Sequence, residues 1–228
     1  MMRFLARGRD AEIYDLGDGR VLRKAMDGRS LAAEAAVMAH AWDAGVPVPR
    51  VYDVTDDGAI VMDRVDGPTL LEDLLTRPDR VDDVMRTLVE LHDLVHAVPA
   101  PAGMRRGTLP GDRLLHVDLH VINVIRTADG PVLIDWTNAR SGPPEADLAM
   151  TWILHSSVRA DDAGLDDEQF FTGMQRQMSE SLLALVDVGR IAAVLPEVAE
   201  WRLADPSVSA AEGDRVRALA ETFPALPD

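Results

Sequence analysis

At 228 residues with 47% hydrophobic side chains, the chain is long enough to bury a sizeable core as one two-lobed unit or two small domains. Its formal net charge of -16 argues against a general nucleic-acid binder, since phosphate backbones demand basic patches, and is compatible with a cationic small partner. The absence of cysteine excludes disulfides and thiolate metal sites and is expected of a reducing cytoplasm; MMRFLARGRD lacks the apolar core of a signal peptide, and no apolar run approaches membrane-spanning length.

Taken in chain order, RFLARG reads as a first strand, followed by a turn at Gly8 where backbone N–H groups can approach a phosphate or simply close a hairpin. EIYDL and RVLRKAM read as the next two strands, joined by a tight turn at Gly17-Asp18-Gly19. The third strand carries Arg23 and Lys24, and neighbours on a strand point to opposite faces, so only one of them can serve a site. Lys24 is the only lysine among 23 basic residues, which marks it out. SLAAEAAVMAHAW reads as a helix, with Glu34 in its first turns, Gly45 as a stop and Pro47 beyond it. VPVPRVYDV, TDDG and AIVM then read as strand, turn and buried strand.

Downstream the pattern becomes helical. Pro68 suits the first turn of TLLEDLL, and Val81, Val84, Met85, Leu88, Leu91 and Val95 recur at three-to-four spacing along a longer helix. His92 and His96 lie four apart on it, the spacing of a metal pair, although packing accounts for them more simply. After Trp136, SGPPEADLAMTWIL starts a helix at a double proline, and two or three further helices fill residues 166–224, with a break near Asp205-Pro206.

The densest chemistry lies in His116–Trp136, HVDLHVINVIRTADGPVLIDW. Asp118 and Asn123 sit five apart on a loop, TADGP reads as a tight turn, and PVLID as a short buried strand ending at Asp135. Two carboxylates and an amide converging in this way suit phosphoryl transfer: one carboxylate accepts the acceptor hydroxyl's proton, while the other and the amide oxygen hold Mg²⁺ on the phosphates. A rival reading makes HVDLH a strand that presents His116, Asp118 and His120 on one face to Zn²⁺ or Fe²⁺, but it leaves Asn123 and Asp135 idle.

This segment resembles the catalytic loop and metal strand of the aminoglycoside phosphotransferase family, small-molecule relatives of protein kinases, where the loop usually reads H-G-D-L-H-P-x-N-V and the strand ends I-D-W or I-D-F. Val117, Val121 and Ile122 depart from that pattern. The resemblance implies an α+β, protein-kinase-like fold: residues 1–66 form a small antiparallel-sheet lobe with the hinge, and residues 67–228 a mostly helical lobe with the catalytic loop and acceptor site. It also implies ATP and Mg²⁺ as cofactors, with Asp118 and His116 catalytic and Asn123 and Asp135 the metal ligands. Gly8, Arg23 or Lys24, Glu34 as the basic residue's partner, and the Asp63 carbonyl and Val65 N–H at adenine would bind the nucleotide. Asp147 would brace the catalytic loop. The acceptor would be a hydroxylated small molecule, with aminoglycosides, other antibiotics, sugars, amino alcohols and homoserine-like compounds all open. A small atypical protein kinase and a non-catalytic nucleotide-binding protein are the other classes this sequence allows. Asp161, Asp162, Asp166, Asp167 and Glu168 in RADDAGLDDE either gather a cationic acceptor or cap the next helix.

Overall fold

The computed structural model describes residues 2–8, 10–160 and 166–223. Arg3–Arg7 (β1), Ala11–Asp15 (β2), Arg20–Ala25 (β3), Val51–Val54 (β4) and Ile60–Asp63 (β5) form one antiparallel sheet in the order β1-β2-β3-β5-β4. The β2–β3 hairpin turns through Gly17 and Gly19, whose φ values of 84° and 80° disfavour any residue with a side chain. Along β3 the pleat buries Val21, Arg23 and Ala25 and exposes Lys24. Ala32–Asp43 (α1) connects β3 to β4 and buries Glu34, Ala35, Met38 and Ala41. It ends where Gly45 takes a φ of 87°.

Thr69 caps Leu70–Thr76 (α2) in a reciprocal capping box with Glu72, so Pro68 precedes the helix instead of occupying its first turn. Val81–Ala97 (α3) buries the apolar stripe that its periodicity marks, with His92 on the same face. Two small ribbons follow: Arg113–Leu115 (β6) pairs with Arg140–Gly142 (β9), and Val124–Thr127 (β7) with Gly130–Leu133 (β8). Pro144–Ser157 (α4) is buried on most sides because it is packed by α3, Glu168–Leu185 (α5), Val188–Leu203 (α6) and Ala210–Thr222 (α7). Side chains of Asp167, Asp187 and Ser209 cap α5, α6 and α7.

Fully buried leucines 88, 91, 114, 119 and 133 tie the ribbons and the catalytic loop to α3 and α4. Each contributes about 1.5–3 kcal/mol by leaving water. Backbone bonds join the sheet lobe to the helical lobe and pin the loop in place: Leu133 N–H donates to the Pro47 carbonyl at 2.8 Å, and Leu71 N–H to the Val121 carbonyl at 3.0 Å. No helix among the described residues is long and apolar enough to cross a membrane.

Candidate active site

From Leu115 the chain leaves β6 and turns through His116–Asn123 before entering β7. His116 is fully buried. Its Nε2 donates to the Ile134 carbonyl at 3.1 Å, its Nδ1 accepts from Asp118 N–H at 3.3 Å, and its ring meets Trp136 edge-on at 4.7 Å. Burial pushes its pKa down, so the imidazole is neutral at pH 7. Both ring nitrogens are therefore spent on backbone, and neither cavity of the site is lined by His116. The expectation of a catalytic His116 is corrected: the ring ties the loop to the segment just past β8, which ends at Leu133 and not at Asp135 as the sequence suggested.

Val117 has a φ of 64°, unusual for a β-branched residue. The Asp147 carboxylate, fully buried on α4, accepts the His116 N–H at 2.8 Å and the Val117 N–H at 2.7 Å and so holds that conformation. His96 Nε2 lies 3.1 Å from the same carboxylate and His92 Nδ1 3.6 Å. Burial alone would raise the Asp147 pKa, but the two imidazoles beside it, His92 close by and His96 within hydrogen-bond distance, outweigh it and hold the group well below the usual carboxylate range. His92, His96 and Asp147 are close enough to hold a metal ion, yet the carboxylate is already engaged by two backbone N–H groups. The pair at 92 and 96 serves as packing and brace. Residues 116–120 form no strand, so His116, Asp118 and His120 do not share a face and the rival metal trio falls.

Asp118 faces the cleft with Oδ1 3.4 Å from His120 Nε2. Burial raises its pKa, but the His120 hydrogen bond and charge, with Arg202 further off, leave it below the usual value and hence ionised at pH 7. The Asn123 amide nitrogen donates to the Asp118 carbonyl at 2.9 Å and lies 3.2 Å from His120 Nε2. That network orients the amide and leaves Oδ1 without a hydrogen-bond partner among the described residues. Ile134 N–H donates to the Asn123 carbonyl at 2.9 Å, which brings Asp135 beside Asn123.

Asp135 has a φ of 62°; its Oδ1 accepts from Arg23 Nη2 and from the Thr137 hydroxyl, each at 2.9 Å. Arg23 Nη1 in turn donates to Glu34 Oε2 at 2.5 Å. Glu34 remains raised in pKa because burial outweighs the Arg23 charge. Arg23 thus spans from α1 to Asp135, two residues past the end of β8. Lys24 is the correction here: on the opposite face of β3, it pairs with Asp57 at 2.8 Å in solvent, away from the cleft.

A cavity of about 430 Å³ beneath the sheet is lined by Gly8, Arg23, Glu34, Asp63, Val65, Asn123 and Asp135, over apolar Met38, Met62 and Ile125. Gly8 N–H is used up in its own turn, on the Ala11 carbonyl at 2.9 Å, and a Cβ there would meet only ordinary contact at 3.6 Å. Gly8 therefore borders the cavity as a hairpin turn and offers no N–H of its own to a phosphate. A second cavity of about 1320 Å³ opens on the helical side and is lined by Asp118, His120, Arg105, Arg140, His155, Trp201 and Arg202 among others. The two share Gly8, Asp10, Ile122, Asn123 and Asp135.

Of the acidic loop, Asp161 and Asp162 lie outside the described residues. Asp167 accepts the Phe170 N–H at 2.9 Å as the α5 cap, Glu168 accepts the Ala160 N–H at 3.1 Å, and neither they nor Asp166 line the larger cavity. Among the described residues of the loop, Asp167 serves as a helix cap and none borders the larger cavity. Sequence reasoning missed His155, Arg105, Arg140 and Trp201. His155 is 4% exposed with no hydrogen-bond partner on either ring nitrogen, and burial pushes its pKa down to about 3. Nothing in the α4 periodicity distinguishes it from its apolar neighbours.

An antiparallel sheet with a buried strand arginine tied to a helix glutamate, set above a loop Asp, a loop Asn and an Asp just past β8, defines a protein-kinase-like fold. A model of the phosphotransferase enzyme family (APH) matches residues 2–114 and 106–182, and the chain belongs to that family. Among solved structures, a choline/ethanolamine kinase family protein from Mesorhizobium loti is similar with a TM-score of 0.63 and 17% identity, covering 98% of this chain and 89% of that one. Aminoglycoside phosphotransferase APH(4)-Ia aligns with a TM-score of 0.58 and 16% identity over 99% and 94% of the two chains. Amicoumacin kinase hAmiN, solved with AMP-PNP, Ca²⁺ and Ami, gives 0.59 and 13% over 96% and 87%. A curated relative, a probable bifunctional tRNA threonylcarbamoyladenosine biosynthesis protein of Methanoculleus marisnigri, is 32% identical over 145 residues. That match covers 58% of this chain and only 23% of the relative's length.

Proposed function

We propose that this phosphotransferase moves the γ-phosphoryl group of ATP to a hydroxyl of a small molecule. One observation carries the reading: the cavity under the sheet and the cavity on the helical side meet at Asn123 and Asp135, with Asp118 on the helical side of that border. A nucleotide in the first would have its adenine against the Asp63–Val65 backbone and its phosphates near Arg23, steadied by Glu34. Asn123 Oδ1 and the Asp135 carboxylate form an all-oxygen donor pair suited to Mg²⁺, which when bound would neutralise charge on the phosphates. Asp118, ionised and oriented by His120, would accept the hydroxyl proton as the acceptor oxygen bonds to phosphorus and the bond to ADP breaks.

The solved neighbours' names support small-molecule acceptors, and hAmiN with AMP-PNP supports nucleotide use. A protein acceptor is the alternative, tested by labelling a lysate with radioactive ATP. The decisive experiment is an ATP-consumption screen against hydroxylated amines, sugars, acids and antibiotics, with mass spectrometry of the products and a chelator control. A product heavier by one phosphoryl group, formed only with divalent metal, is expected. Turnover unaffected by chelation, or dependent on Zn²⁺ in place of Mg²⁺, overturns the reading.

A further inference from the structure

Four arginines line the larger cavity, and two of them, Arg105 and Arg140, form no ion pair among the described residues. Ser141 N–H donates to the Arg105 carbonyl at 2.9 Å, so backbone pairing sets the Arg105 side chain beside that of Arg140 at the start of β9. Arg105 Nη2 donates to the Asn138 carbonyl at 2.7 Å, and Arg140 Nε reaches the same oxygen at 3.4 Å. Arg140 Cζ lies 4.7 Å above the Trp201 ring, which fixes the plane of its guanidinium. Among the described residues, neither arginine has a carboxylate within ion-pair distance.

The carboxylates sharing that cavity, Glu200 aside, are otherwise engaged, Asp135 by Arg23 at 2.9 Å. Glu212 and Asp205 hold Arg202 at 2.6 and 3.2 Å, Glu197 accepts from the Thr108 hydroxyl, Asp10 and Asp27 hold Arg29, and Asp118 faces His120. Glu200 sits at the exposed rim. In a chain of net charge -16, two adjacent guanidiniums with no carboxylate in ion-pair contact are electrostatically costly, because like charges repel and the buried Asp147 carboxylate acts on Arg140 only from a distance. Burial and then the Arg105 charge pull the Arg140 pKa down to about 10 against a smaller lift from the Asp147 charge, which leaves it cationic at pH 7. An oxyanion between the two would relieve the repulsion and meet donors in the fork geometry that carboxylates and phosphates accept.

We propose that the acceptor of this phosphotransferase carries, besides the hydroxyl that faces Asp118, a carboxylate or phosphate group bound between Arg105 and Arg140. The inference rests on the function proposed above. The substrate class is then an anionic hydroxylated small molecule, not an aminoglycoside-like polycation. The reaction balances as before: the acceptor O–P bond forms, the γ-P–O bond breaks, the hydroxyl proton passes to Asp118, and ADP leaves.

The test separates binding from turnover. In the full ¹⁵N-labelled chain at constant ionic strength, arginine Nε–H signals are followed during titration with D-glycerate, glycerol 3-phosphate or ethanolamine. Saturable shifts of the Arg105 and Arg140 signals with at least one anion and none with ethanolamine are expected, the two anions telling carboxylate from phosphate. Arg140→Gln should weaken that binding by about 10-fold or more, the scale of one charge-assisted hydrogen bond. Arg105→Gln, at an exposed position, gives the same readout should the Arg140 variant fail to fold. Saturable binding of neither anion, undiminished binding in the variants, or abolition of binding by saturating Mg-AMP-PNP overturns the acceptor assignment. Anion binding that persists alongside undiminished transfer in Asp118→Asn would instead overturn the catalytic reading and leave the anion site standing.

Discussion

Replacing Asp147 by Asn keeps the shape of a fully buried side chain, removes its charge and turns one acceptor oxygen into a donor. The native carboxylate accepts the His116 N–H at 2.8 Å and the Val117 N–H at 2.7 Å, with His96 Nε2 at 3.1 Å. Hydrogen bonds to a charged group contribute about 1.5–3 kcal/mol each, and Asn can keep only one of the two backbone bonds while turning its NH₂ against the other N–H. Breaking one side of such a buried charged network costs about 3–5 kcal/mol, a large part of the roughly 5–15 kcal/mol that holds a domain folded. At roughly 2–4 °C per kcal/mol for a chain of this size, Tm should fall by roughly 6–20 °C. The second consequence is local. The Val117 N–H bond sustains a φ of 64°, a conformation that costs a non-glycine residue about 1–3 kcal/mol, so its loss lets Val117 relax and shifts Asp118. A displacement on the order of 1 Å at a catalytic group lowers kcat by about 10²-fold. Urea unfolding gives the first quantity, and hydrogen exchange at the His116 and Val117 amides reads the second directly. An unfolding free energy within about 0.5 kcal/mol of the parent, or undiminished protection at those two amides, refutes the reasoning.

Three further outcomes are expected. Asp118→Asn should lower kcat by about 10²-fold or more while nucleotide affinity persists, because a base acts in the transition state; full activity removes Asp118 from that role. Arg23→Ala should raise the KM for ATP by about 10-fold or more, whereas Lys24→Ala, which loses only an exposed pair with Asp57, should leave it unchanged and shift stability by about 0.5 kcal/mol at most; the reverse pattern rejects the strand geometry. Burial pushes His92, His116 and His155 below the ordinary histidine value, His155 to about 3, so below about pH 6.5 the unfolded chain binds protons that the folded chain refuses. Stability is therefore greatest above that pH and declines on acidification, with His155 alone supplying a slope approaching about 1.4 kcal/mol per pH unit between about 6.5 and 3. Urea midpoints across that range should decline less steeply in His155→Phe than in the parent, and equal slopes discard the assignment.

Local pattern was enough for the order of the sheet-lobe strands and the helices, though not for the β6–β9 ribbon, whose three-residue strands carry no signal of their own. Apolar recurrence along Val81–Val95, the paired glycines at 17 and 19, and the double proline before α4 each act through backbone sterics or burial within a few residues, so their consequences can be read without the fold. The same holds for Asp118, Asn123 and Asp135, because a loop and a two-stranded ribbon so short leave little freedom in how they meet. Matters decided between distant segments could not be read this way. Strand alternation says that Arg23 and Lys24 face opposite ways, but only the pairing of β3 with β2 and β5, and the packing of α1 beneath them, says which face is the cleft. His116 looked catalytic in its motif, yet a carbonyl eighteen residues on claims its Nε2. Arg105 and Arg140 became neighbours because Ser141 pairs with the segment before β6, and Trp201 reached Arg140 only through the packing of α6. Periodicity and spacing therefore determined which side chains the chain brings to the cleft's rim, through sterics that act along a few residues; burial and long-range pairing, which depend on every element at once, decided which of them face each other across it.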